Sequence, residues 1–132
     1  MSDCITFRNP ATVAPPFGPY SHVAVVRSNA ELLYFSGQVG LREDGSIPEM
    51  IDEQYELAIK AIDAILKDCA LSPRNIVKLT TYLVKPLAAD RLRAIRHSIF
   101  GDIAPAATLL YVPRLAAEGF YVEIDVVAAR FP

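Results

Sequence analysis

Phe120-Tyr121-Val122-Glu123-Ile124-Asp125-Val126-Val127-Ala128-Ala129 decides the fold. Its branched and aromatic residues favour an extended backbone. Alternate side chains of a strand point to opposite faces. Phe120, Val122, Ile124, Val126 and Ala128 therefore share one face, which reads as the side beneath helices. Tyr121, Glu123, Asp125, Val127 and Ala129 share the other. That second face mixes a tyrosine and two acids with apolar groups, which a purely solvated face rarely does.

Two stretches read as the covering helices. From Asp52 to Ala70, apolar residues at Tyr55, Ala58, Ile59, Ile62, Ile65, Leu66 and Cys69 form one broad stripe, with Lys60, Asp63 and Lys67 facing away. Asp52 is the expected N-cap, and Glu53 suits the helix dipole. The second helix runs from about Ala88 to Ile99, with Ala88, Leu92, Ile95 and Ile99 as its stripe and Gly101 closing it. Two helices cover one face of a sheet of four or more strands. A bare face with apolar character is a sizeable exposed patch unless something covers it. A neighbouring subunit is the economical cover, so a homo-oligomer with a ligand cleft between subunits is expected.

The other segments complete a single α+β domain spanning residues 1–132. Ile5-Thr6-Phe7 reads as a short edge strand. Between Asn9 and Tyr20, four prolines remove backbone donors and fix φ, which makes a loop of defined shape. Ser21–Arg27 and Leu32–Ser36 read as strands, and Gly45 supplies the positive φ of a turn. Ser72-Pro73 starts a short turn with proline at its first position. In the strand Ile76–Val84, strict alternation puts Ile76, Lys78, Thr80 and Tyr82 on one face and Val77, Leu79, Thr81 and Leu83 on the other. Thr108–Val112 is the penultimate strand.

Composition narrows the functional classes. The hydrophobic fraction is 52%, slightly above the usual share, which again hints at subunit contacts. Thirteen basic and fifteen acidic residues give a net charge of −2. The densest basic cluster, Arg91, Arg93, Arg96 and His97, falls within one predicted helix, so a nucleic-acid partner is not expected. Cys4 and Cys69 make neither a disulfide framework nor a zinc knuckle and read as free thiols in a reducing compartment. No apolar run is long enough for a membrane span, and the N-terminus lacks the pattern of a signal peptide, so the cytoplasm is the expected location.

Several residues carry candidate chemistry. Glu123 sits mid-strand between Val122 and Ile124, where a carboxylate is unusual. Partly shielded from water, it could pass protons near neutrality; fully solvated or salt-bridged, it would be an ordinary strand acid. Asp125 shares its face and reads more simply as solvated. Tyr20, held by the proline loop, could line a small site or pack in a core or interface. His22 could act as a base, but no triad can be built on His22 or His97. Gly37, with Gln38 and Gly40, could bring backbone amides near an anionic ligand, although Gly-x-x-Gly alone is a weak signal and not a dinucleotide fingerprint. Arg114 could pair with a substrate carboxylate or end a strand in solvent. No metal and no cofactor is expected.

The chain also resembles the Rid (YjgF) family, whose best-known members are enamine/imine deaminases. The resemblance rests on Ala14-Pro15 with Gly18-Pro19-Tyr20-Ser21, Phe35-Ser36-Gly37-Gln38-Val39-Gly40, Ile76 through Val84, Ala104-Pro105-Ala106-Ala107-Thr108, and Tyr121-Val122-Glu123-Ile124-Asp125. It implies a chorismate-mutase-like α+β fold, of the bacillus type, with a mixed sheet, two helices on one face and a barrel-like homotrimer. It implies clefts between adjacent subunits in which Tyr20 and Gly37 help hold the substrate and Glu123 orients or activates water. No cofactor is implied. One position departs from the pattern. The deaminases carry an arginine where this chain has Ala107, beside Thr108, and a methyl group cannot grip a carboxylate as a guanidinium does. The resemblance therefore implies a hydrolase of a small enamine, imine or related carbon–nitrogen compound that is not a standard 2-imino acid, unless Arg114 or Arg96 compensates. The alternative is a non-catalytic small-molecule-binding or regulatory trimer. RNA cleavage, a further possibility by resemblance alone, is disfavoured by the acidic charge balance.

Overall fold

A computed structural model describes residues 3–132. The strands are β1 (Ile5–Arg8), β2 (Val23–Val26), β3 (Glu31–Tyr34), β4 (Gln38–Val39), β5 (Ile76–Leu83), β6 (Ala106–Tyr111) and β7 (Val122–Arg130). The helices are α1 (Ile51–Asp68) and α2 (Ala89–Phe100). Pro73–Asn75 form a 3-10 turn, capped by the Ser72 hydroxyl as its Ser-Pro start suggests.

β7 organises the main sheet, whose order is β3-β7-β5-β6. β5 pairs antiparallel with β7 along one edge, while β3 and then β4 pair with successive parts of the other. β6 runs parallel to β5, and the connection between them contains α2. Val122, Ile124, Val126 and Ala128 are at most 1% exposed, as their alternation requires. They meet Tyr55, Ala58, Ile59, Ile62 and Leu66 of α1, all fully buried, with Ile95 and Phe100 of α2 in the same core.

Local details differ from the sequence reading for identifiable reasons. Met50, not Asp52, precedes the first turn of α1; the Asp52 carboxylate accepts from the Glu53 amide and pairs with Arg91 at 3.5 Å. The helix stops at Asp68 because Ala70 takes a left-handed φ of 59° and Leu71 N–H returns to Leu66 O at 2.8 Å. Cys69 consequently sits half-exposed at the helix end, outside the buried stripe. Ile76 does not share a face with Lys78: the register shifts between them, leaving Val77 as an extra residue. That bulge turns Ile76 into the core beside Leu79 and Leu83. β7 starts at Val122 instead of Phe120, because the Tyr121 amide donates to Gln54 Oε1 at 2.8 Å.

The second face of the sheet is partly covered from within the chain. β1 and β2 form a separate antiparallel pair, and Cys4 and Ile5 with Ala24 and Val26 close over Ala129 and Val77. The rest of that face stays open: Leu32 is 44% and Tyr34 76% exposed, and the registers place Lys78, Thr80, Tyr82, Leu110, Glu123, Asp125 and Val127 beside them.

Candidate functional site

Glu123 stands on the open face, opposite Tyr82 on one side and Val39 on the other. The interruption between β3 and β4 brings Gly37 directly over it. A Cβ built on Gly37 would overlap the Glu123 carboxylate. The glycine is therefore needed for proximity and not for its backbone, since Gly37 is not among the glycines with positive φ. The clash involves the flexible Glu123 side chain from Cγ outward and no backbone, so an added methyl displaces the carboxylate at little cost in stability. Gly37→Ala is expected to cost less than about 1 kcal/mol in stability. Turnover that depends on Glu123 should fall by about 10²-fold, the effect of misplacing a reacting group by roughly an ångström. Denaturant melts read beside steady-state rates separate these two effects.

Asp125, two residues on, is not merely solvated. It accepts a 3.0 Å hydrogen bond from the Tyr82 hydroxyl. That bond, with partial burial and the charges of Asp125 and Glu123, pushes the Tyr82 phenol above its ordinary value, because ionising it would place a third negative charge in the group. Asp125→Asn removes one charge and the strongest acceptor. Tyr82 should then ionise at lower pH, closer to an ordinary tyrosine, and NMR titration of ring-labelled tyrosine reads the change.

Tyr20 and Ala107 belong to a different place. They line a cavity of about 560 Å³ bounded by the proline loop, α2, β5 and the edge strand β6. Ser21 fastens the loop there: its amide donates to Pro105 O at 3.0 Å and its hydroxyl to Ala104 O at 2.6 Å. The Tyr20 ring stands edge-on between Phe17 and His22. His22 is occupied by the loop, its Nε2 lying 2.8 Å from Ala14 O and its amide donating to Asn9 Oδ1. Thr108 borders the cavity, and its hydroxyl accepts from Lys78 Nζ at 2.7 Å.

The cavity lining includes neither Glu123 nor Gly37, so the sequence-predicted residues form two half-sites. Arg114 joins neither; it is exposed on the loop between β6 and β7. Arg96 does reach the cavity wall, as does Arg93 one helical turn before it, and Tyr55 closes the inner end. By sequence alone, Tyr55 reads only as core and Arg93 only as part of a basic cluster. The i,i+3 spacing of Arg93 and Arg96, which places them on one helix face, was the available signal. Among the described residues, no group of three or more histidines, cysteines or acids is placed to hold a metal ion, and no helix is long and apolar enough to cross a membrane.

Comparisons with known proteins agree with this architecture. The family model described as endoribonuclease L-PSP matches residues 11–130. A RutC family protein of Aquifex aeolicus is 35% identical over 118 residues, covering 87% of this chain and 91% of that protein. The RutC family protein YjgH of Escherichia coli is 31% identical, covering 88% and 87%. The crystal structure of YyfB, a Rid-family protein of Yersinia pestis, superposes with a TM-score of 0.83 at 22% identity, over 97% of this chain and all of that one. A mixed sheet with two helices on one face, shared along almost the whole length, makes this an α+β chorismate-mutase-like chain that belongs to the Rid (YjgF) family, the family also described as endoribonuclease L-PSP.

Proposed function

We propose that the protein is a cofactor-independent hydrolase of small enamines or imines, working in the cytoplasm as a homotrimer. In this reading, the open sheet face of one subunit, bearing Glu123 and Gly37, meets the Tyr20–Ala107 cavity of the next. The observation that carries it is the Gly37–Glu123 pair: a half-buried carboxylate on the open sheet face, with the overlying residue reduced to hydrogen at the point of closest approach. Open and half-closed faces of this kind favour a partner.

Glu123 would take a proton from water as the oxygen attacks the imine carbon. A C–O bond forms, the C=N π pair moves to nitrogen, and a carbinolamine results. Proton transfer from Glu123 to its nitrogen and loss of the hydroxyl proton let the C–N bond break, releasing ammonia and leaving the carbonyl product; an enamine first takes a proton on carbon to become the imine. Tyr20 would hold the ligand, with Ala107 and Thr108 shaping the pocket and Arg114 available only through the assembly. The second reading, a ligand-binding trimer without turnover, is favoured by Ala107 alone.

The test is a coupled assay in which a pyridoxal-phosphate enzyme generates 2-aminoacrylate and, in a second arm, a branched-chain 2-imino acid is supplied by an amino-acid oxidase. Faster release of the 2-oxo acid in either arm supports the hydrolase. A stable trimer by light scattering with no acceleration in either arm removes 2-imino acids as substrates and favours the binding reading.

A further inference from the structure

The cavity between α2 and the β5–β6 edge has an uneven charge distribution. Two arginines, Arg93 and Arg96, line it, and among the described residues no aspartate or glutamate does. Arg96 is 7% exposed, yet no carboxylate pairs with it among the described residues. Its hydrogen bonds go from Nη2 to the carbonyls of Pro19, at 2.7 Å, and Ile103, at 3.0 Å. A buried cation held by neutral acceptors alone stays costly until an anion approaches. Arg93 is exposed, and among the described residues only one of its five N–H groups, on Nη2, is engaged, to Phe17 O at 3.1 Å. Behind them the hydroxyl of Tyr55, fully buried, has no hydrogen-bond partner among the described residues. Burial raises its ionisation far above the ordinary tyrosine range, so it stays a neutral donor.

Acids do occur nearby, on the other side. Asp90 and Asp102 border a neighbouring depression that shares Arg93 and Arg96. Asp102 is paired with His97 at 2.8 Å, and Asp90 accepts from the Arg91 amide. Within the cavity itself, the remaining walls are mostly apolar, with Leu79, Leu83, Leu87 and Leu92, and their polar groups, such as those of Thr81 and Thr108, are neutral. A volume of about 560 Å³ suits a ligand larger than a three-carbon acid.

We propose that Arg93, supported by Arg96 and the Tyr55 hydroxyl, is the anion-binding head of this cavity, and that the ligand is a 2-imino or 2-oxo acid with a branched or aromatic apolar side chain. The charge grip expected by resemblance from an arginine at position 107 comes instead from helix α2. Ala107 leaves the cavity open toward it. The imino-acid class rests on the hydrolase reading; the anion site does not.

Calorimetric titration of the intact protein with 4-methyl-2-oxopentanoate, its methyl ester and pyruvate tests the site. The acid is expected to bind roughly tenfold or more tightly than the ester, the size of a lost charge-assisted pair. It should also outbind pyruvate. Arg93→Leu should weaken the acid by roughly tenfold and leave the ester unchanged. Arg93→Gln, which keeps a donor for Phe17 O, should lose the same selectivity, which separates charge from loop packing. Adding Ala107→Arg to Arg93→Leu should restore acid binding. Equal binding of acid and ester, no binding of either, or an acid affinity unchanged in both Arg93 variants overturns the proposal. Acid-selective binding without imine hydrolysis would keep the anion site and reject the hydrolase. Hydrolysis untouched by both Arg93 variants would do the reverse.

Discussion

Glu123→Gln is expected to lower kcat/KM for imine hydrolysis by about 10²–10⁴-fold, the range typical of losing a general base. The amide keeps the shape of the carboxylate but cannot accept a proton from the attacking water. Among the described residues the Glu123 side chain makes no hydrogen bond or ion pair, so the exchange breaks no contact. Stability should therefore change by no more than about 0.5 kcal/mol. Binding of a 2-oxo acid should persist, because the proposed anion grip is on α2. His22→Ala provides the contrast: its imidazole serves the proline loop through Ala14 O, so it should disturb loop stability more than proton transfer. Steady-state rates with both variants decide the matter. Full activity in Glu123→Gln would remove this carboxylate from the chemistry.

The largest expected effect on stability comes from Gln54→Leu. Gln54 is fully buried in the first turn of α1 and serves three backbone groups. Its Nε2 donates to Pro48 O at 2.8 Å and to Gly119 O at 2.7 Å, and its Oε1 accepts from the Tyr121 amide at 2.8 Å. Leucine has similar bulk but satisfies none of them. Each buried group left unpaired costs about 1–3 kcal/mol. A loss of about 3 kcal/mol or more, and a Tm lower by about 10 °C, is expected by thermal and urea denaturation. A surface control on the same helix, Lys60→Ala, should stay within about 0.5 kcal/mol. Because Gln54 also anchors the entry to β7 two residues before Glu123, the surviving folded fraction should show reduced turnover. A Gln54→Leu protein as stable as the parent would mean that these backbone groups find other partners.

Gln54 also marks a limit of reading by pattern. A glutamine at the start of a helical stripe looks like a solvent-facing residue, and nothing in its neighbours reveals three carbonyl and amide partners contributed by loops ending near residues 48, 119 and 121. The bulge at Val77 was hidden for a related reason. Branched residues occur on both sides of it, so strict alternation remained plausible until the pairing with β7 showed one residue too many. By contrast, the alternation Val122, Ile124, Val126, Ala128 and the stripe Tyr55, Ala58, Ile59, Ile62, Leu66 were legible and lie in one core.

Of the candidate site residues, Glu123 was legible as an acid in an apolar strand, and Gly37 as a small residue at a strand end. That the second exists to make room for the first is a contact across strands, visible only in three dimensions. Arg93, Arg96 and Tyr55 were each readable as helix residues, but two come from α2 and one from α1, so no local motif links them. The order of residues alone settles the periodicities, hence the main strands and helices and, wherever no bulge shifts the register as at Val77, which side of each turns inward, because backbone geometry imposes those repeats within a few neighbouring positions. Packing of distant segments alone settles which polar groups lose their water together and which charge is left without a counter-charge, because desolvation and Coulomb energies depend on distances in space that no short stretch of chain encodes.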